Sequence, residues 1–246
     1  MIIGSELIFY RSLPSTNDEA SVLLREKEIK EGTVIYTDFQ AAGKGQMGNR
    51  WESDACKNLL FSIILYPTSV EPEGQFIISM ALSLGICDFI DRHISGSKIK
   101  WPNDIYIGND KIAGILIENS IIGDNIENTI AGIGLNINQE DFRGKATNPV
   151  SFKMITGEEY DLKGCLGQLL SDLDKRYRQL LYGDRNLIAG DYKARLYRLM
   201  EWCEFRSGEN VFTGRILGVS SSGRLRIGDR KSRVTEFSFR EVEIIT

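Results

Sequence analysis

The stretch that decides the fold is KWPNDIYIGNDKIAGILIE, residues 100–118. A strand that ends at Trp101 is broken by Pro102, and residues 104–107 and 111–117 then form two strand-like runs around Gly108-Asn109-Asp110. This pattern predicts a β-hairpin whose second strand begins with Lys111. A lysine beside a turn is usually a solvated charge. Lys111 is therefore a candidate for a functional site only if other motifs support it.

A second unusual segment, TDFQAAGKGQMGNRW, occupies residues 37–51. Gly43, Gly45 and Gly48 allow the backbone to turn its N–H groups towards an anion. Lys44 and Arg50 add positive charge, and a tryptophan at 51 offers a flat face for a base. The segment predicts a loop that binds a phosphate or carboxylate, although a surface loop with incidental charge has the same appearance.

Three well-known nucleotide-binding motifs are excluded, even though residues 43–48 match G-x-G-x-x-G. A dinucleotide fingerprint needs a helix directly after its third glycine, whereas a polar segment and the strand-like NLLFSIILYP at 58–67 follow here. The P-loop spacing and the lysine strand and catalytic loop of protein kinases are also missing. The glycine loop is therefore expected to connect two strands.

Length and composition indicate a large domain with a sizeable core plus a small one, because the chain has 246 residues and is 42% apolar. Its four cysteines, at 56, 87, 165 and 203, form no C-x-x-C pair, and its single histidine is His93. These counts support neither a disulfide framework nor a zinc site. His93 is expected to be a surface or capping residue at the end of a helix.

The N-terminus lacks a signal-peptide pattern, and no run of apolar residues suggests a membrane span, so a cytoplasmic protein without membrane contact is expected. The net charge of −4 argues against a general nucleic-acid binder.

The remaining pattern predicts an alternation of strands and helices. Strands are expected at 7–10, 33–37, 59–66 and 129–137, and helices from 18, over 74–93, 162–181 and 187–199. A loop is expected around 146–149. Residues 214–228 and 234–244 alternate as short strands separated by turn residues, which predicts a small C-terminal β-barrel.

Together these segments resemble the biotin protein ligases. That family carries K-W-P-N-D, a lysine seven residues past the aspartate and K-x-x-G-I-L-x-E, which correspond here to residues 100–104, Lys111, Gly114 and Glu118. Its glycine loop G-R-G-R-x-G-R-x-W corresponds to residues 43–51. Its S-T-N, its glutamine before the loop and its G-x-G-x-N strand correspond to 15–17, Gln40 and 132–136. The five motifs occur in the family's order and extend over essentially the whole chain.

The resemblance implies an α+β fold, in which a mixed sheet with helices packed on it, as in class II synthetases, is followed by a small SH3-like β-barrel. The expected domains are a catalytic domain at 1–198 and an SH3-like domain at 199–246. Some members carry an N-terminal DNA-binding domain. Because S-T-N already occurs at residue 15, no such domain is expected here, in line with the acidic net charge.

The resemblance also implies a two-step reaction. The biotin carboxylate attacks the α-phosphorus of ATP, which releases pyrophosphate and forms biotinyl-5'-AMP, and a lysine of a biotin carboxyl carrier protein then attacks the mixed anhydride. Such chemistry requires positioned anions and stabilised charge rather than a covalent nucleophile. Biotin, ATP and Mg²⁺ are expected in the site, with no permanent protein metal centre. The acceptor's identity and the choice between monomer and homodimer stay open.

Roles for individual residues follow from the same resemblance. Lys111 would bridge the biotin carboxylate and the α-phosphate, and Lys44 would fold over the adenylate as a second catalytic cation. Asn103 and Asp104 would orient the nucleotide or its Mg²⁺. The other expected substrate-binding residues belong to the matched motifs: Ser15, Thr16, Asn17, Gln40, Gly43, Gly45, Gln46, Trp51, Gly114 and Asn136. The S-T-N residues also suit a helix N-terminus for local reasons.

The loop lacks two positive charges of the family pattern, because Gln46 and Asn49 stand where the family has arginines. Whether this change alters retention of the adenylate is open. Two alternative functions are considered. A lipoate or octanoate ligase or transferase would need an R-R-x-x-G-G-G-x-V-x-H-D type of segment, which the chain lacks. A non-catalytic biotin-sensing module would keep the fold without turnover.

Overall fold

The computed structural model describes residues 1–142 and 148–245, so the loop expected around 146–149 lies partly outside the described residues. The described chain forms a seven-stranded sheet and a five-stranded sheet. The strands of the larger sheet are β1 (Glu6–Tyr10), β2 (Thr33–Thr37), β3 (Leu59–Leu65), β4 (Ser97–Lys100), β5 (Asp104–Ile107), β6 (Asp110–Ile122) and β7 (Asn125–Leu135). The helices are α1 (Thr16–Glu26), α2 (Phe76–Ile90), α3 (Phe152–Thr156), α4 (Leu162–Tyr182) and α5 (Arg185–Ala194).

The larger sheet has the order β1-β2-β3-β7-β6-β5-β4, in which β1 and β2 are parallel and the other neighbours are antiparallel. The α+β fold with a mixed sheet is therefore confirmed. The hairpin predicted from the opening stretch is formed by β5 and β6, and Lys111 lies at the start of its second strand. The glycine loop connects β2 and β3, as expected.

Helices cover both faces of this sheet, because alternate residues of a strand point to opposite faces. On one face, Ile35 and Ile64 pack with Ala20 and Leu23 of α1. The adjacent positions in the same strands point the other way, into the larger core formed with α2 and α4. At Gly85 a Cβ would lie 2.9 Å from the Leu173 Cα, so this glycine permits the close approach of α2 and α4.

One segment, Pro72–Ile90, is apolar and long enough by composition alone to cross a membrane, which was not expected from the sequence. It contains α2, and most of it is buried in the core. This burial accounts for its apolar composition. His93 follows the helix in a turn and is exposed, as expected.

The helix predicted over 187–199 was too long, since α5 ends at Ala194. Beyond it the backbone pairs with the edge strand β4: Ile99 N–H donates to the Arg195 carbonyl, and Tyr197 N–H donates to the Ile99 carbonyl, both at 2.8 Å. The apolar residues after Ala194, which resemble a helical stripe in sequence, are buried by this pairing instead.

The second sheet is antiparallel, with the order β11-β10-β9-β8-β12. Its strands are β8 (Trp202–Ser207), β9 (Asn210–Val219), β10 (Leu225–Gly228), β11 (Val234–Phe237) and β12 (Glu243–Ile244). This sheet is consistent with the small C-terminal barrel expected, although the strand at 202–207 was not predicted. The two sheets are joined by a hydrogen bond in which the Trp101 indole donates to the Gly223 carbonyl at 2.9 Å. A domain boundary near residue 199 stays a prediction.

Candidate functional site

A pocket of about 160 Å³ lies between the glycine loop, the start of α1 and the face of β6 and β7. Twelve of the fourteen residues expected in a site line this pocket: Ser15, Thr16, Asn17, Gln40, Lys44, Gly45, Gln46, Trp51, Asn103, Asp104, Lys111 and Gly114. They come from four separate segments of the chain. Asn49 and Arg50 of the loop also contribute to the lining.

Gly43 and Asn136 lie outside the lining. A Cβ at Gly43 would lie 2.4 Å from the Trp51 carbonyl oxygen, so this glycine allows the two ends of the loop to approach. Asn136 is buried just after β7, and its amide donates to the Val150 carbonyl at 3.0 Å. The structure therefore places both residues in supporting positions rather than at the pocket surface.

The loop is closed across its base like a small hairpin. Gly45 N–H donates to the Asn49 carbonyl at 2.8 Å, and Trp51 N–H donates to the Gly43 carbonyl at 2.9 Å. Residues Gln46–Gly48 form one 3-10 turn between these bonds. The turn ends at Gly48 with φ of 85°, a conformation that favours glycine. These bonds hold the loop above the pocket.

Lys44 projects from this loop towards α1, where its ammonium group forms an ion pair with Asp18. The hydrogen bond with Asp18 raises the pKa of Lys44. Both side chains are nearly half exposed, so the pair is screened by water and holds the lysine weakly. Lys44 is thus a charged group that an anion in the pocket can attract away from Asp18.

Lys111 lies on the other side of the pocket, with its Nζ atom 2.7 Å from Asp104 Oδ1. Its side chain is only 25% exposed, and the ammonium group also lies 5.5 Å from the centre of the Trp51 ring. A charge in this partly dry setting interacts more strongly with an anion than a solvated lysine does. The structure therefore favours the functional interpretation of Lys111 over that of a solvated turn charge.

Asn103 supports the strand that carries Lys111. Its Nδ2 group donates to the Ile115 carbonyl at 2.8 Å, and its own carbonyl accepts from Ile115 N–H at 3.0 Å. These two bonds tie the turn after β4 to the middle of β6. They fix the position from which the neighbouring Asp104 enters the pocket.

Glycines form the floor on which the larger side chains lie. A Cβ at Gly134 would lie 2.3 Å from Trp51 Cε2, and one at Gly114 would lie 3.0 Å from Trp51 Cζ3. At Gly132 a Cβ would lie 2.2 Å from Asn17 Oδ1. The indole N–H of Trp51 is buried and has no hydrogen-bond partner among the described residues. Because Gly114 and Gly134 carry no side chain, the Trp51 ring has room to lie against the sheet.

A network of neutral polar groups lies at the start of α1. Ser15 caps this helix, with its side chain accepting from Asp18 N–H, so the local capping interpretation is confirmed. Thr16 N–H donates to Gln40 Oε1 at 2.7 Å, and the Asn17 amide donates to Glu118 Oε2 at 2.7 Å. All of these groups belong to motifs identified in the sequence.

Several residues of the site were not expected there from the sequence, among them Asp18, Ser62, Gly132, Gly134 and Glu118. Ser62 had a detectable signal, since it is the one polar side chain in the strand Leu59–Leu65. The pairing of Asp18 with Lys44 had none, because only the fold brings them together.

The structure gives no sign of a protein metal cluster within residues 1–142 and 148–245, where no group of three or more His, Cys, Asp or Glu side chains converges.

Outside the pocket lining, Lys100 of the K-W-P-N-D motif is partly buried, and this burial lowers its pKa. Its Nζ atom donates to the Tyr106 hydroxyl at 3.2 Å.

Comparison with known proteins gives a consistent result. The model of the biotin/lipoate A/B protein ligase family matches residues 9–136. A bifunctional ligase/repressor BirA of Bacillus subtilis is 30% identical over 230 residues, which are 91% of this chain and 70% of that protein. A biotin--[acetyl-CoA-carboxylase] ligase of Paracoccus denitrificans is 31% identical over 221 residues, 86% of this chain and 89% of that protein. A structure of the biotin protein ligase from Aquifex aeolicus with biotin and ATP superposes with a TM-score of 0.81 at 25% identity, covering 98% of this chain and 99% of the other.

Proposed function

We propose a biotin-activating mechanism for this chain, which belongs to the biotin/lipoate A/B protein ligase family. The chain is an ATP-dependent ligase that forms biotinyl-5'-AMP and transfers biotin to acetyl-CoA carboxylase. The names of its relatives and the biotin and ATP bound in the Aquifex aeolicus structure support this activity. They favour it over a lipoate or octanoate ligase and over a module that only senses biotin.

The mechanism rests on one observation: neutral polar groups lie in one part of the pocket, and the positive charge of Lys111 lies in another. Asn17 donates a hydrogen bond to Glu118 in the second half of β6, and Lys111 lies near the start of the same strand. Asn17 and Lys111 both line the same pocket, although the strand positions beside them, 118 and 111, are seven residues apart. Biotin has the same division, with a neutral ureido ring at one end and a carboxylate at the other. The polar network suits the ring, and Lys111 suits the carboxylate.

Lys111 supplies the charge that the first step requires. As the carboxylate attacks the α-phosphorus, negative charge develops on the phosphate oxygens, and a positioned cation stabilises it. The partial burial of Lys111 strengthens this interaction, and Asp104 keeps the ammonium group in place until the anions arrive. Lys44 exchanges Asp18 for the phosphate and acts as a second cation from the loop.

The Gln40 side chain accepts from Thr16 through its oxygen, which leaves its NH₂ group to donate to the ureido carbonyl.

Trp51 also lines the pocket and offers its ring to the adenine. Stacking on a tryptophan face needs no particular hydrogen-bond pattern, and the flat floor at Gly114 and Gly134 sets the plane of the ring.

The residues present also suit Mg²⁺ brought in by ATP. This ion is usually held by one or two carboxylates together with phosphate oxygens. Asp104 would be its protein ligand, with Asn103 beside it, and the ion would neutralise charge on the phosphates. No permanent metal centre is needed for this role.

The acceptor in the second step is a lysine of a biotin carboxyl carrier protein domain. Incubation with biotin, ATP, Mg²⁺ and an unmodified carrier domain should add the mass of one biotin to one carrier lysine. The same carrier with that lysine replaced by arginine serves as the control. Biotinyl-5'-AMP formation without transfer would contradict the proposed partner, and transfer of lipoate or octanoate instead would contradict the proposed substrate.

The acidic net charge favours a function without nucleic-acid partners, and we infer that the protein acts in the cytoplasm without membrane contact. The active form is a monomer or a homodimer. Sedimentation with and without biotinyl-5'-AMP distinguishes these two states.

Gln46→Arg tests how the loop retains its product. Gln46 lines the pocket at the position where the family has arginine. A charged hydrogen bond contributes ~1.5–3 kcal/mol against ~0.5–1.5 for a neutral one. We therefore expect this variant to slow dissociation of biotinyl-5'-AMP by several-fold in a chase with unlabelled biotin. Gln168→Arg, at an exposed site on α4, is the matched control. An unchanged rate for Gln46→Arg would show that position 46 does not touch the phosphate.

A further inference from the structure

Ser62 lies in the middle of β3 beneath the pocket and is fully buried. A hydroxyl group in such a setting is costly unless it is hydrogen-bonded. Its Oγ atom lies 2.6 Å from Asn17 Oδ1 and 2.7 Å from Thr16 Oγ1. Ser62 therefore contacts two adjacent residues of the pocket wall from the layer below.

The Asn17 amide is oriented by two partners of opposite kind. Ser62 donates to its oxygen, and its NH₂ group donates to Glu118 Oε2 at 2.7 Å. A carboxylate oxygen accepts from the NH₂ end, which sets the orientation of the amide, and the Ser62 hydroxyl then holds the oxygen end by donating to it. Without the Ser62 hydroxyl, the oxygen end of the amide loses the donor that holds it.

Ser62 also connects this amide to the other arm of the polar network, which consists of Thr16 and Gln40. Thr16 Oγ1 lies 2.7 Å from Ser62 Oγ, and the Thr16 N–H donates to Gln40 Oε1 at 2.7 Å. Ser62 is therefore the point at which the Thr16 and Gln40 arm meets the Asn17 and Glu118 arm. Losing it would uncouple the two arms.

We propose that Ser62 is a positioning residue for biotin, which fixes the donors and acceptors that Thr16 and Asn17 present to the ureido ring. This inference rests on the proposed function. A ureido group carries a carbonyl acceptor beside two N–H donors, so a site recognises it only with polar groups in fixed places. Ser62 supplies that order without touching the ligand.

Ser62→Ala is the direct test. Calorimetric titration should show the Kd for biotin rising about five- to tenfold, and tenfold corresponds to ~1.4 kcal/mol. Because ATP does not use this network, the KM for ATP and the kcat at saturating biotin should change by less than about twofold. Ser83→Ala is the matched control, since Ser83 is also fully buried but its hydroxyl has no hydrogen-bond partner in the described chain. Its biotin affinity should equal that of the wild type.

A double-mutant cycle separates positioning from general support of the core. If Ser62 acts through Asn17, adding Ser62→Ala to Asn17→Ala should weaken biotin binding little further. Fully additive effects, or an unchanged Kd for Ser62→Ala alone, would overturn the inference. Should Ser62→Ala fail to fold, Ser62→Cys carries the test, because a thiol fills the site but donates weakly. Its Kd should rise, and a wild-type Kd would count against positioning.

Failure of this inference is distinguishable from failure of the proposed function. A wild-type protein that binds no biotin contradicts the function itself. A wild-type protein that binds biotin, together with a Ser62→Ala variant of equal affinity, contradicts the role of Ser62 alone.

Discussion

Lys111→Ala should slow biotinyl-5'-AMP formation by roughly 10²–10³-fold at saturating biotin and ATP, which is the usual effect of removing one group that stabilises transition-state charge. Lys111 is the cation held inside the pocket, 2.7 Å from Asp104 and facing the Trp51 ring. Its charge acts on the reacting phosphate in the mechanism, so kcat should fall more than the affinity for biotin. Single-turnover formation of the adenylate measures this rate.

The matched control is Lys98→Ala, which removes an exposed lysine from the edge strand β4 of the same sheet. This variant should form the adenylate at the wild-type rate. The assignment of Lys111 would be contradicted if Lys111→Ala retained more than about a third of the wild-type rate, since a loss that small is ~0.7 kcal/mol and below the range for such a group.

Gly134→Ala should weaken ATP binding by about tenfold or more. The added methyl group would lie 2.3 Å from Trp51 Cε2 and 2.6 Å from Cζ2, so the indole must leave the floor of the pocket. Forcing an extra methyl into a packed site costs ~1–3 kcal/mol, or roughly 5- to 150-fold in affinity if the displaced ring is the adenine platform. Titration with a non-hydrolysable ATP analogue measures the change.

Gly167→Ala is the control for this substitution, because no atom lies within 4 Å of a Cβ built at that exposed helical site. It should keep the wild-type nucleotide affinity. If Gly134→Ala folds and binds the nucleotide as the wild type does, Trp51 does not form the adenine platform.

Sequence patterns predicted the fold well where one local rule governs the structure. The hairpin predicted at 104–117 follows from apolar runs around a glycine turn, although its second strand extends to Ile122, and the strands flanking the glycine loop follow from compact apolar runs. The end of α5 could not be predicted this way. The apolar residues after Ala194 have a helical spacing in the sequence. In the structure, however, their backbone pairs with the edge strand β4.

The candidate site was predictable where motifs mark it and not where the fold assembles it. Lys111 and Trp51 belong to recognisable segments, but their contact depends on how the loop folds over β6. Ser62 and Asn17 are 45 residues apart in sequence, and no local pattern indicates that they meet. Asn136 belongs to a motif as well, yet its side chain supports the backbone behind the pocket.

Pyrophosphate release in the absence of any carrier protein measures directly whether this pocket joins biotin to AMP. We expect a stoichiometric burst of pyrophosphate that requires both biotin and ATP, with biotinyl-5'-AMP recovered from the protein. The burst should be absent when lipoate or octanoate replaces biotin. Binding of biotin without pyrophosphate release, or an equal burst with lipoate, would contradict the claim.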